Sequence, residues 1–292
     1  MDSASGLSAV IVNWNSGSCL ARLLESMEPL GKKWARVVVV DNGSQDGSAR
    51  PALGRDGVEL VEAGANLGFA GAANRGIARV ATPWVLLLNP DITLRAGTVE
   101  TLCHEADERP RCGIATGTLL SASGRTPQIR PLPGPWTLLR DAVFLDELLA
   151  AAGLDRRRDP EADEVAVDES SLRALEVEQP AAAFWMLRRR AWEAIGGFDR
   201  RFHPAWFEDV DFCRRILAAG WEILHFPGLQ VGTHLGGSSL DRLGYAAFVE
   251  IYYRNMLRYL AKHHKLAYPL VGPLILLGAL ARRSMIGRWR RR

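Results

Sequence analysis

The chain has 292 residues, 48% of them hydrophobic and 24% charged, which excludes a long disordered protein and leaves room for one large core or two modest ones. Ten of the 36 Lys and Arg follow Glu250 and none of the 33 acids does, so positions 1–250 carry 26 basic against 33 acidic residues, a net −7 beneath an overall +3. Such a basic tail on an acidic body suits anionic lipid headgroups or nucleic acid. Four cysteines (Cys19, Cys103, Cys112, Cys213) without CxxC spacing point to neither a zinc site nor a disulfide framework, and so to a reducing cytoplasm. The opening MDSASGLSAVIV has no basic residue before its apolar run, so no signal peptide is expected.

Ser8–Val12 is a β-branched run ending at Asn13-Trp14-Asn15-Ser16-Gly17, which predicts a strand and a turn. Leu20, Leu23, Leu24 and Met27 recur at helical spacing; Arg36–Val40 is a second strand that stops at Asp41-Asn42-Gly43-Ser44. Val58–Val61 reads as a third strand, Ala70–Ala81 as a helix, and Trp84–Leu88 as a fourth strand ending at Asn89-Pro90-Asp91. Strands that are near-continuous apolar runs and alternate with helices predict an α/β protein with a mostly parallel central sheet, covered on both faces. Ligands of such sheets bind outside the carboxyl ends of the strands, so polar residues there matter most.

The stretch from about 125 to 178 differs. Arg130-Pro131-Leu132-Pro133-Gly134-Pro135 is a Pro-rich connector, Leu138–Leu149 an apolar helix, and Asp155–Ser171 a charged, mobile loop. Regularity returns at Ala181–Leu187 and lasts through His234, and Leu240–His263 predicts a long amphipathic helix. Leu266–Ala281 is uncharged but shorter than the roughly 20 residues of a spanning helix, and its Pro269, Gly272, Pro273 and Gly278 are expected to break it. Six arginines and Trp289 follow, a composition that fits an anchor lying on the cytoplasmic leaflet, or else a helix pair packed on the body with a solvated basic end.

Several strand-end and loop residues carry candidate chemistry. Asp41 is either a turn acid or a carboxylate that accepts hydrogen bonds from a nucleoside. Asp91 repeats the position after the fourth strand, where a carboxylate can bind Mg²⁺ or Mn²⁺ against a diphosphate. Asn66-Leu67-Gly68-Phe69-Ala70-Gly71-Ala72-Ala73-Asn74 places small residues ahead of a helix, which lets backbone N–H groups approach a phosphate or simply lets the loop pack. Glu208, Asp209 and Asp211 follow Trp206-Phe207 at the start of a helical pattern. They complement a helix N-terminus, and one of them can also act as general base on a hydroxyl. His234 stands alone after Val231-Gly232-Thr233, which by spacing favours a structural histidine.

Taken in order, Asp41, the Asn66–Gly76 loop, Asn89-Pro90-Asp91, Gly197-Phe198-Asp199, Glu208-Asp209 and His234 resemble the family-2 glycosyltransferases, closest to bacterial rhamnosyltransferase-like members, from residue 8 to about 260. The resemblance implies a GT-A (Rossmann-like) fold with flanking helices and a C-terminal helical tail. It implies a catalytic domain over 1–240, with a nucleotide-binding half (1–125), the insert (125–178) and an acceptor half (179–240), followed by the tail (241–292). Position by position it implies that Val12, Asn13, Trp14, Asn15 and Asp41 hold base and ribose, and that Asn66, Gly68, Phe69 and Asn74 support the nucleotide. Asp91 would be the metal-binding end of an Asp-x-Asp whose first Asp is replaced by Asn89, with His234 completing the Mg²⁺ or Mn²⁺ shell. Asp209 would be the general base, and Trp206 and Glu208 would line the acceptor pocket.

The reaction so implied is an inverting transfer from a dTDP- or UDP-linked sugar to a glycan or polyprenyl-linked acceptor in cell-surface polysaccharide synthesis. It would take place peripherally on the inner face of the plasma membrane, an anionic surface. A sugar nucleotidyltransferase would need a cation in the loop after the first strand, and Asn13–Gly17 has none. A catalytically inactive nucleotide-sugar-binding module is the remaining alternative. No nucleic-acid reading motif accompanies the basic tail, so no nucleic-acid partner is expected. The donor sugar, the linkage and the oligomeric state are not encoded in any motif.

Overall fold

A computed structural model describes residues 6–29, 34–121, 124–125, 129–143, 173–234 and 243–289. The charged loop expected over Asp155–Ser171 and the end of the apolar stretch after Val143 lie outside them. The chain forms two units, the first comprising Met1–Pro131, Val167–Pro204 and Glu208–Gly237.

The first unit is built on one mixed sheet. Strands β1 (Leu7–Asn13), β2 (Arg36–Asp41), β3 (Val58–Glu62) and β4 (Trp84–Leu88) run parallel in the order β3-β2-β1-β4. β1 and β4 are buried along their whole length, as expected where helices cover both faces. The chain steps from β1 outward to β3 and then returns to place β4 on the other side of β1. That reversal opens a crevice at the carboxyl ends of β1 and β4. Beyond β4 the sheet becomes mixed. β11 (Phe184–Arg188) enters antiparallel to β4, followed by β6 (Cys112–Ser121), β12 (Glu222–His234) and the short edge strand β5 (Ile92–Leu94). Strand direction leaves no trace in an apolar run, which is why sequence period alone describes only the parallel half.

Helix α1 (Cys19–Met27) buries Cys19, Leu20, Leu23, Leu24 and Met27, the spacing read from the sequence. Helix α2 (Gly68–Ile77) starts two residues before the expected Ala70 and stops short of Ala81. It is made of small residues because it lies close on the sheet: a Cβ at Gly76 would meet Val10 Cγ1 at 2.4 Å. Helix α3 (Thr98–Asp107) adds Val99, Leu102 and Ala106 to the core, and all four cysteines are free.

The second unit draws on Leu132–Ala166, Ala205–Phe207 and Ser238–Arg292, so the connector from Leu132 onward and the tail fall in one unit. Its described helices are α4 (Pro135–Ala142), α7 (Tyr245–His263) and α8 (Tyr268–Trp289); α5 (Arg189–Ala194) and α6 (Glu208–Ala218) belong to the first unit. On α7, Tyr253 donates its hydroxyl to Ala142 O (3.0 Å) and Tyr252 to Asp141 Oδ2 (2.8 Å). The fully buried Asn255 gives Nδ2 to Ala205 O and Trp206 O (2.8 and 3.1 Å), holding two residues of which Trp206, like Phe207 after it, has positive φ (69° and 71°).

The expectation that prolines and glycines break Leu266–Ala281 does not hold. Helix α8 is continuous through Pro273 and extends to Trp289. Pro269 falls in its first turn, where an N–H has no helical partner to lose. The glycines are packing positions. Gly272 and Gly278 lie on the buried side with Ile275, and a Cβ at Gly278 would sit 2.2 Å from Ala142 O.

Candidate functional site

Asn13 and Asp41 end β1 and β2, and Asn89 and Asp91 follow the end of β4, all in the first unit. β1 and β2 end in register, with Asn13 opposite Asp41. Asn13 is fully buried and directs Nδ2 to Asp41 Oδ1 (3.0 Å), Ser44 Oγ (3.1 Å) and Ser48 Oγ (3.1 Å), while its Oδ1 accepts from Ser16 Oγ. Its amide is therefore spent on protein partners, and it acts by orienting Asp41 and the turn after β2. Asp41 Oδ2 also accepts from Ser44 N (3.2 Å). Asn15, at φ 45°, accepts from Gln45 N at Oδ1 (2.8 Å), joining the two strand-end loops. Val12 is buried in β1, and Trp14 beyond it is partly buried.

The loop before α2 is stitched to β2 through Asn42, the residue after Asp41 in the turn. Asn42 Oδ1 accepts from Leu67 N (2.7 Å) and its Nδ2 donates to Asn66 Oδ1 (3.1 Å), which also accepts from Gly68 N (2.8 Å). Gly68 has φ +73°, and a Cβ there would lie 2.9 Å from both Pro204 O and the His203 ring, so no larger residue fits the crossing. Phe69 donates its N–H to Pro204 O (2.8 Å) and meets Phe198 edge-on.

Asn74 is engaged on the protein as well. Its Oδ1 accepts from Phe198 N (2.9 Å) and Trp192 Nε1 (3.1 Å), and its Nδ2 donates to Phe198 O (2.8 Å). This fixes the Gly197-Phe198-Asp199 turn, whose Phe198 stacks on Phe212 (4.2 Å) and Trp185 (6.0 Å). The glycine–aromatic motif is thus a structural lock beneath the site, and Asp199 is held by Arg201.

Asp91, 8% exposed, follows β4 and Asn89, whose N–H is bonded to Ala183 O (3.0 Å). It directly precedes β5, which pairs antiparallel with β12 in the register Gly232–Leu94, Thr233–Thr93, His234–Ile92. The fold therefore brings His234 beside the residue after Asp91. Glycine at 232 makes this possible, since a Cβ there would sit 2.2 Å from Thr93 O. Among the described residues no three His, Cys, Asp or Glu side chains form a metal cage. Asp91 is thus a buried carboxylate one residue from the strand position that pairs with His234.

Three acids open α6, and their environments separate their roles. Asp211 is fully buried and paired with Arg215 (2.8 Å), which also donates to Ile195 O (2.9 Å), so it is structural. Asp209 is half-buried and accepts from Val210 N (2.8 Å) at Oδ1 and from Gln179 Nε2 (3.3 Å) at Oδ2. Burial raises its pKa above the ordinary value, against the opposing pull of backbone hydrogen bonds and Arg130. Glu208, 7% exposed, is raised well above its ordinary value by burial and then by Asp209, and its Oε2 has no hydrogen-bond partner among the described residues. Burial thus raises both adjacent carboxyls at the head of α6, Glu208 the more strongly. Trp206 lies in the second unit, edge-on to Phe248 (4.9 Å). Gln179, on a two-residue strand, carried no sequence signal of this role.

The family model described as Glycosyl transferase family 2 matches residues 8–152. The N-acetylglucosaminyl-diphospho-decaprenol L-rhamnosyltransferase of Mycobacterium tuberculosis is 28% identical, over 98% of this chain and 96% of its own length. The pre-mycofactocin glycosyltransferase of the same organism is 29% identical over 76% of this chain and 41% of that protein. Among solved structures, the mannosyltransferase PcManGT from Pyrobaculum calidifontis, in complex with GDP-Man and Mn²⁺, superposes with a TM-score of 0.57 at 17% identity, covering 97% of this chain and 75% of that one. That likeness shows the fold, which is GT-A.

Proposed function

The chain belongs to the family-2 glycosyltransferases, and from that premise we propose that it moves a sugar, rhamnose or a close relative, from a dTDP- or UDP-linked donor to a hydroxyl of a polyprenyl-diphosphate-linked glycan, with inversion. The observation that carries the reading is Asp209: a half-buried carboxylate at the head of α6, aimed by two donors and made more basic by burial. The acceptor class is that of the mycobacterial rhamnosyltransferase to which the chain is similar along nearly its whole length.

In this reading Asp41 accepts the hydroxyls of the donor nucleoside, with the Val12–Asn15 backbone and the Trp14 ring closing on the base. The loop from Asn66 through Phe69 supports the nucleotide, and Asn74 keeps that support fixed by locking the turn at Phe198. Asp91 and His234 would hold a divalent ion, with Asn89 facing the donor; bound there, the ion neutralises the diphosphate leaving group. Asp209 takes the acceptor hydroxyl proton as that oxygen attacks the anomeric carbon and the bond to the diphosphate breaks. Glu208, beside it at the head of α6, lines the acceptor pocket. Incubating the protein with dTDP-, UDP- and GDP-sugars and following thermal stability tests the donor half: one class should stabilise it, and stabilisation by none contradicts the reading.

Helix α8 supports a peripheral membrane site. Its buried side is lined by Gly272, Ile275 and Gly278, while Leu270, Leu274, Leu277 and Leu280 face outward at 77%, 43%, 61% and 64% exposure. That is the reverse of a helix meant to face water. Among the described residues no helix is long and apolar enough to cross a membrane, whereas an outward leucine face beside arginines fits one lying in the plane of an anionic surface. Replacing Leu270, Leu274 and Leu277 together with Glu should leave the fold intact, because all three are exposed, and should abolish co-sedimentation with anionic vesicles. Unchanged sedimentation would assign α8 a purely structural role.

A further inference from the structure

Outside the main sheet, β8 (Ile129–Arg130) and β10 (Gln179–Pro180) form a separate antiparallel ribbon of two residues each, with Arg130 directly opposite Gln179. Side chains directly opposite on an antiparallel pair project to the same face. Gln179 is buried and reaches Asp209 Oδ2, so the ribbon's face toward the base is known. Arg130 is exposed and forms no ion pair among the described residues, although its charge is felt at Asp209. The fold thus fills the hydrogen-bonding position on the base with a neutral amide and leaves a guanidinium on the same face of the ribbon, open to solvent. A salt bridge to Asp209 would have lowered its basicity; the amide orients it without that cost.

We infer that Arg130 is a diphosphate-binding residue at the edge of the reaction centre, and that Gln179 is the positioning residue of the base. The inference rests on the functional reading above, in which both substrates carry a diphosphate. A guanidinium presents two parallel N–H donors to a phosphate, which fixes orientation as well as affinity. For an acceptor linked through a diphosphate, that contact would bring the sugar hydroxyl to Asp209; for the donor, it would help hold the leaving group.

The test uses the full-length protein and Arg130→Gln, an exposed position whose substitution leaves the fold standing. Two quantities are compared with the parent. One is the ratio of kcat/KM for a diphosphate-linked acceptor to that for a neutral alkyl glycoside of the same sugar; the other is the dissociation constant of the nucleotide-sugar. A fall of about tenfold in the ratio assigns Arg130 to the acceptor diphosphate, and a donor bound about tenfold more weakly assigns it to the donor. In either case Arg130→Lys should recover only part of the loss. If neither quantity changes by more than about twofold, the inference is overturned. A parent protein that transfers to neither acceptor overturns the functional reading instead, and the donor measurement then still decides the role of Arg130.

Discussion

Asp209→Asn should lower turnover by at least ~10²-fold while leaving nucleotide-sugar affinity nearly unchanged, as expected for the loss of a general base. Asparagine preserves the shape: its amide oxygen can still accept from Val210 N, and its NH2, in place of Oδ2, can donate to Gln179 once that amide turns its oxygen toward it, so the local geometry should survive. What it cannot do is take a proton. Donor affinity should stay because Asp41 and Asp91 stand at the ends of β2 and β4, elsewhere along the strand ends. The same carboxyl sets a pH dependence. Burial raises the pKa of Asp209, so the acid limb of the rate profile should lie above that of an ordinary aspartate, with activity falling as pH drops through the raised value. For stability the sign is opposite: a raised carboxyl favours the folded state when protonated, and that contribution is lost as pH rises through the folded value. Glu208, raised well above its ordinary value, adds to that slope, and Glu208→Gln should flatten it. A turnover unchanged in Asp209→Asn would remove this residue from the role of base.

Chelation of divalent ions should produce the second large effect. A Lewis acid at a diphosphate leaving group supplies several kcal/mol, on the order of 10³-fold in rate. Activity should therefore collapse in excess EDTA and return with Mn²⁺ or Mg²⁺. Asp91→Ala and His234→Ala should each weaken metal-dependent donor binding without unfolding the protein, and binding measured without metal should change much less. Full activity in EDTA would make His234 a structural residue that closes the β5–β12 edge.

The parallel half of the sheet was legible because β1, β2 and β4 are uninterrupted apolar runs, each ending in polar residues. The antiparallel entry of β11 and the edge strand β5 were not, since direction and pairing depend on contacts distant in sequence. Helix α8 shows local propensity overridden by packing: its prolines and glycines read as breaks, yet Gly278 is what allows the helix to approach Ala142. Motif order singled out Asp41, Asp91 and Asp209 but could not tell which neighbouring amides are committed to the protein. Asn13 and Asn74 resemble ligand-facing asparagines in sequence, and only their hydrogen bonds show that each is committed to protein partners. Gln179 was invisible for the converse reason, since a lone amide on a two-residue strand carries no periodicity or motif.

Catalysis with inversion is tested most directly by incubating the protein, a divalent ion, dTDP-rhamnose or UDP-linked sugars, and a diphosphate-linked N-acetylglucosaminyl lipid, and reading the new glycosidic bond by NMR. One new linkage is expected, with an anomeric configuration opposite to that of the donor, and it should be absent in Asp209→Asn. A product that retains the donor configuration, or a protein that binds the nucleotide-sugar but neither transfers nor hydrolyses it, would contradict catalysis with inversion.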